Sequence, residues 1–200
     1  CSSDLPSIGL AASGTGNISF TANNFTMAPI TATITVTPVI TSGGTSCSGT
    51  PKTFTITVNP KATVNTVSDV YTCNGSQTTV PFSGFVAGTV YQWTNSNTAI
   101  GLAASGTGDL NFTATNPGAT PISASIVVFP NYTNNGVTCT GAPISFTITV
   151  NPTPTVNAVS SQVVCNNGAT TAVSFSGALA GTTFNWTNNT PSIGLAASGT

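Results

Sequence analysis

Side chains that could carry acid–base or metal chemistry are scarce in this chain of 200 residues, and they are scattered along it. There are two lysines and three aspartates, with no arginine, glutamate or histidine. Proton-transfer catalysis needs a positioned acid or base, metal sites need clustered ligands, and nucleic-acid binding needs a basic patch. The composition therefore predicts no enzymatic activity, no cofactor or metal site, and no nucleic-acid partner.

Cysteine and tryptophan are the remaining residues with chemical potential. No histidine or other basic group stands ready to activate a thiolate, so structural disulfides are favoured over thiol catalysis. The candidate disulfide cysteines are Cys47, Cys73, Cys139 and Cys165. Trp93 and Trp186 could act as glycan platforms, but a place in a protein core is the favoured interpretation.

An internal repeat organises these residues. The segment IGLAASGTG begins at Ile8 and returns 92 residues later at Ile100, and its first eight residues return at Ile193. TFTITVNP ends at Pro60, and SFTITVNP ends at Pro152. The predicted domains are the C-terminal part of one repeat at residues 1–60, a complete repeat at 61–152, and the N-terminal part of a third at 153–200.

Alternating apolar and polar residues within each repeat predict β-strands. Phe146, Ile148 and Val150 point to one face, while Thr147 and Thr149 point to the other. About seven such strands, separated by Gly, Pro and Asn turns, are typical of an immunoglobulin-like β-sandwich. The predicted core of this all-β fold includes Trp93, Trp186, Phe112, Ile126, Phe146 and Ile148.

The repeat leaves two disulfide pairings open. Cys73 and Cys139 belong to the same complete repeat and form the simplest pair. If the two lie at opposite poles of the sandwich, Cys73 would instead pair with the equivalent of Cys139 in the next repeat. Either pairing fits an exported protein, because disulfides persist in oxidising compartments.

The TFTITVNP and GLAASGTG segments, the tryptophan on the third strand and the two cysteines per repeat resemble PKD-like repeats of very large surface proteins of Bacteroidota. The resemblance implies an extracellular or cell-surface adhesin or filament and carries no catalytic residues. The leading interpretation is a structural stalk or fibre whose partners are neighbouring repeats, and the alternative is a module that binds glycans or surfaces. No apolar run is long enough for a membrane-spanning helix.

Residues 186–200 cover the same part of the repeat as residues 1–15, so each end of the chain carries an incomplete repeat. Cys1 aligns with Trp186 within a strand, which favours a fragment over a lipidated N-terminus. Neighbouring copies are expected to complete the two end repeats. A longer covalent array is favoured, and strand exchange between subunits is the alternative.

Overall fold

The computed structural model describes residues 8–200 together with the backbone of residues 2–3. Cys1 lies outside this part of the chain. The described residues form strands, loops and short 3-10 helices, which confirms the all-β prediction. The 3-10 helices are Thr98–Ile100 and Pro191–Ile193.

Most strands belong to the central part of the chain. They are β6 (Val70–Cys73), β7 (Gln77–Val80), β8 (Val90–Asn95), β9 (Ser105–Thr107), β10 (Leu110–Thr113), β11 (Ile122–Asn134), β12 (Val137–Thr140) and β13 (Ile144–Asn151). One sheet has the order β6-β13-β11-β8-β9, with β12 also paired to β11, and a second sheet consists of β7 and β10. All these pairs are antiparallel except β6–β13, which is parallel.

Both central sheets contribute to one apolar core, as in a β-sandwich. Alternate residues of each strand face this core, because successive side chains of a strand point to opposite faces. Phe82, which follows β7, meets Phe146 of β13 edge to face, with ring centroids 6.3 Å apart. The other buried members are Val80, Trp93, Ile100, Leu102, Leu110, Phe112, Ala114, Ala124, Ile126, Val128, Ile148 and Val150.

β11 is the longest strand and changes partner along its length. It pairs with β13 from Ile122 to Val128, and with β12 from Asn131 to Asn134. Pro130 lies in the gap between the two ladders, where a residue without a backbone N–H costs no hydrogen bond on that edge. We call residues 131–134 and β12 together the hairpin arm, since they extend beyond the end of β13.

The flanking segments form fewer strands. Before the central repeat lie β1 (Ser2–Ser3), β2 (Ile30–Val36), β3 (Val39–Ser42), β4 (Thr45–Ser48) and β5 (Lys52–Val58). They make a sheet of order β1-β2-β5 and a separate β3–β4 hairpin. After the central repeat the strands are β14 (Trp186–Thr187) and β15 (Ser198–Gly199), which pair with each other.

A buried asparagine closes the central fold near the end of β13. The Nδ2 of Asn116 donates to the carbonyls of Val150, at 2.7 Å, and Thr120, at 2.9 Å. Its Oδ1 accepts the backbone N–H of Gly118 at 3.0 Å. One neutral side chain thus holds the 116–120 turn and ties it to the last strand of the repeat.

Replacing this side chain should therefore weaken the fold. We expect Asn116→Ala to lower the free energy of unfolding by about 1–3 kcal/mol, because it leaves buried carbonyls without a donor. Urea unfolding followed by circular dichroism measures the loss. Asn65→Ala is the control: Asn65 is exposed and its amide donates only to the Ser83 hydroxyl, so a loss within about 0.5 kcal/mol is expected. Equal losses for the two variants would contradict this assignment.

Candidate functional site: the junction between repeats

Two aspartates, Asp69 and Asp109, accept hydrogen bonds from backbone N–H groups of the central repeat. Oδ1 of Asp69 accepts the N–H of Thr147 at 2.7 Å, and Oδ1 of Asp109 accepts the N–H of Phe82 at 2.8 Å. Both carboxylates therefore satisfy backbone donors at sheet edges. Within the described residues, no three His, Cys, Asp or Glu side chains lie together as a metal site would require.

Tyr91 lies at the edge of the central core, with its hydroxyl near Asp109. Burial raises the pKa of its hydroxyl above the ordinary tyrosine range, and the nearby negative charge of Asp109 raises it further. Its ring packs against Phe82, with centroids 5.9 Å apart. Tyr91 therefore stays neutral over the whole physiological range and serves the core.

Trp93 lies inside the central repeat and is 7% exposed. Gly106, its partner across the β8–β9 ladder, leaves space for the indole ring. The indole Nε1 is buried and has no hydrogen-bond partner. Trp186, the equivalent residue 93 positions later, is only half-buried and lies against Gly199.

Threonine and serine hydroxyls on the outer faces of the sheets pair across neighbouring strands. The hydroxyls of Thr31 and Thr57 lie 2.8 Å apart, and those of Ser123 and Thr149, the same positions one repeat later, are also 2.8 Å apart. At these positions the hydroxyls of neighbouring strands satisfy one another without a charged group.

The hairpin arm contacts the linker that precedes the central repeat. Nδ2 of Asn134 donates to Oδ1 of Asn59 at 2.8 Å, and Nδ2 of Asn59 donates to the carbonyl of Asn134 at 3.3 Å. At the base of the arm, Gly141 packs so closely on the carbonyl of Ala62 that no β-carbon would fit. These contacts define the N-terminal pole of the central repeat.

The opposite end, the C-terminal pole, is organised around Asn74. Its backbone N–H donates to the carbonyl of Asn151 at 2.8 Å, and its Nδ2 donates to the Thr153 hydroxyl at 3.1 Å. Cys73, the last residue of β6, lies opposite Asn151 in the parallel ladder. Cys73 therefore belongs to the pole from which the chain leaves the repeat.

The two cysteines of the central repeat lie at opposite poles. Cys139 lies on the hairpin arm opposite Tyr132, far from Cys73 along the sheet. Of the two pairings that the sequence leaves open, the Cys73–Cys139 bridge within one repeat is not formed in the described structure. The four candidates, Cys47, Cys73, Cys139 and Cys165, are all free thiols in the described structure.

The steric role of Gly106 gives a matched test of the Trp93 site. A methyl group at Gly106 would overlap the indole ring, so Gly106→Ala should lower the free energy of unfolding by about 1–3 kcal/mol. Gly14 occupies the same repeat position 92 residues earlier, and no described atom lies within 4 Å of a methyl group there. Neither glycine has a positive φ.

Gly14→Ala should therefore leave stability nearly unchanged. Chemical unfolding and near-ultraviolet circular dichroism of the indole band measure both variants. An unchanged indole band and unchanged stability in Gly106→Ala would contradict the close packing of Trp93.

None of the helices in the described part of the chain could span a membrane.

The asparagines at the two poles were not identified from the sequence, although the repeated Asn-Pro at residues 59–60 and 151–152 was an available signal.

Comparison with protein-family models, curated proteins and solved structures finds no match to this chain.

Proposed function

We propose that this chain is part of an extracellular stalk or fibre in which immunoglobulin-like, PKD-like repeats of about 92 residues stack end to end. In this proposal the front segment of a repeat (61–99 in the central copy) and its back segment (100–152) enclose one core together. The partner of the chain is then another copy of the same repeat. The repeats do no catalytic work.

The observation that carries the proposal is that the front and back segments of the central repeat bury each other's apolar residues in one core. Phe146 in the central repeat is 4% exposed, whereas Phe54, the same position one repeat earlier, is 45% exposed. Val128 is fully buried, whereas its equivalent Val36 is 38% exposed. The central repeat supplies the explanation, because Phe82 of its front segment packs on Phe146.

The front segment at 153–192 shows the same dependence on a back segment. Phe175, the equivalent of Phe82, is 38% exposed and contacts only the ring of Phe184 among the aromatic residues described. No strand forms between residues 153 and 185, although the equivalent central residues form β6 and β7. A back segment from another copy would give Phe175 the partner that Phe146 gives to Phe82.

The contacts at the junction favour a stiff rod over a flexible chain of beads. The Asn59–Asn134 hydrogen bonds and the Gly141–Ala62 contact fix the hairpin arm on the linker. A Pro-containing linker of this length also restricts bending. Since the chain has only five charged side chains, little repulsion opposes lateral or end-to-end association.

The arrangement of copies follows either of two routes. A longer polypeptide would place successive repeats in order, and each incomplete repeat here would be completed by the residues next to it in that polypeptide. Separate subunits would exchange segments, with one of the two overlapping stretches, 1–15 or 186–200, displaced. In both routes the front segment of one copy and the back segment of the next enclose one core, which we call the composite core. Phe175 there meets the residue at the Phe54 position.

Electron microscopy and small-angle scattering of the native material test the proposal. We expect rods with an axial spacing on the order of 40 Å per repeat, since β11 has 13 residues and a strand rises about 3.3 Å per residue. Compact, isolated particles with no repeating axial spacing would overturn it.

Substitution of the equivalent phenylalanines tests the composite core. Phe146→Ala should cost about 3–5 kcal/mol of folding free energy in the isolated chain, whereas Phe54→Ala should cost less than about 1 kcal/mol there because Phe54 is already exposed. In assembly assays Phe54→Ala should weaken association roughly 100-fold or more, since a buried phenylalanine is lost from the composite core.

The control is Phe25→Ala. Phe25 is 93% exposed, and its equivalent in the central repeat, Pro117, is also exposed. This variant should assemble like the unmodified chain, as measured by sedimentation velocity. Equal association of the Phe54 and Phe25 variants would exclude the proposed completion of the end repeats.

A further inference from the structure

We propose that consecutive repeats are joined by a disulfide between the cysteine at the C-terminal pole of one repeat and the hairpin-arm cysteine of the next. Cys73 and Cys165 are the pole cysteines, and Cys47 and Cys139 are the hairpin-arm cysteines. This inference rests on the proposed end-to-end stacking, and it assigns each thiol a partner in a neighbouring repeat.

The register of the sheet excludes a bond within one repeat. Cys73 lies opposite Asn151, next to the Ile122–Val150 pair at one end of β11. Cys139 lies opposite Tyr132, near the other end of β11. At about 3.3 Å per residue the two cysteines are about 35 Å apart along the sheet. A disulfide requires Cα atoms within about 7 Å of each other.

The contact at the N-terminal pole shows what each hairpin arm faces. Asn59 holds the same position in the preceding repeat as Asn151 holds in the central one. Because Cys73 lies opposite Asn151, its counterpart in the preceding repeat would lie opposite Asn59. Asn134 of the hairpin arm is hydrogen-bonded to Asn59, so the arm is docked beside that counterpart.

The remaining distance is short. Cys139 lies two ladder positions, about 7 Å, from the Asn134–Val137 pair that meets Asn59, and the strand of the pole cysteine would lie about 4.8 Å beyond Asn59. The arm closes this gap by pivoting about the Asn59–Asn134 contact, and the exposed Val137 on its edge leaves room for that movement. Cys73 is exposed and Cys139 half-buried, so both are accessible to an oxidant.

The bond would form by thiol–disulfide exchange with an oxidised dithiol protein, the class of oxidant that acts on exported proteins. One thiolate attacks the disulfide of the oxidant and forms a mixed disulfide. The second thiolate then attacks this mixed disulfide, which forms the bond between the repeats and releases the oxidant. The two thiols of the repeats lose two protons and two electrons, and the oxidant leaves as a dithiol.

The pairs can be named for strand-exchanged copies. The repeat that follows the central one consists of residues 153–200 of one copy and the back segment of the next copy. Its hairpin arm therefore comes from the next copy and faces the C-terminal pole of the central repeat. Cys73 should then bond to Cys47 of the next copy, and Cys165 to Cys139 of the next copy. In a covalent array the same rule links Cys73 to a hairpin-arm cysteine of the following repeat, and never to Cys139.

Disulfide mapping of the native, unreduced material tests the inference. Free thiols are blocked with N-ethylmaleimide, the protein is digested with pepsin, and linked peptides are identified by mass spectrometry. The sequences around the four cysteines differ, so each peptide is distinguishable. We expect pole-to-hairpin links between repeats. A Cys73–Cys139 link within one repeat, or complete labelling of Cys73 by N-ethylmaleimide, would overturn the inference.

Two matched double variants separate this inference from the proposed function. The pole variant Cys73→Ser with Cys165→Ser and the hairpin variant Cys47→Ser with Cys139→Ser should lower the melting temperature of assembled rods equally. Removing all four cysteines should lower the melting temperature no further than either double variant does. Dithiothreitol should then leave the melting temperature unchanged. Rods that form without such links, and that melt alike with or without reductant, would reject the disulfide and leave the rod intact. Absence of rods under oxidising conditions would reject the rod itself.

Discussion

The structure depends on one core that two distant segments of a repeat must enclose together. The contact between Phe82 and Phe146 is an example, since Phe82 belongs to the front segment and Phe146 to the back segment. Where both segments are present, strands form and side chains are buried. The front segment at 153–192, at the same repeat positions, forms no strand before Trp186, whereas the back segment before residue 60 forms β2 to β5 and buries Ile34. Strand formation in the front segment therefore follows from packing more than from intrinsic preference.

Neutral amides take the roles that charged residues have in most proteins. Asn116 satisfies buried carbonyls near the end of β13, Asn74 organises the C-terminal pole, and Asn59 meets Asn134 at the junction. An amide both donates and accepts, so it can satisfy backbone groups without the desolvation cost of a buried charge. A chain with almost no charge can therefore still have a precise polar architecture at both poles.

Much of the fold could be predicted from the sequence, because the period-two pattern and the repeated segments are strong local signals. Phe112, Ile126, Phe146 and Ile148 lie in the core for the reason that the alternation indicates. The separation of Cys73 from Cys139 was left open, because it depends on β11 continuing past the end of β13 to carry the hairpin arm. The amide contacts at the poles were not predicted, since they join residues 42 and 75 positions apart that no local pattern connects.

The parallel pair β6–β13 gives the repeat a mechanical property. The chain enters the central repeat shortly before β6 and leaves it directly after β13, at the end of the ladder where Cys73 faces Asn151. A pull on the two ends of the repeat draws these strands in opposite directions along their own axes. The hydrogen bonds between them are then loaded together in shear instead of being opened one at a time. Resistance to tension would thus be set by this short ladder. Each repeat would unfold independently, and only when the hydrogen bonds of the whole ladder break.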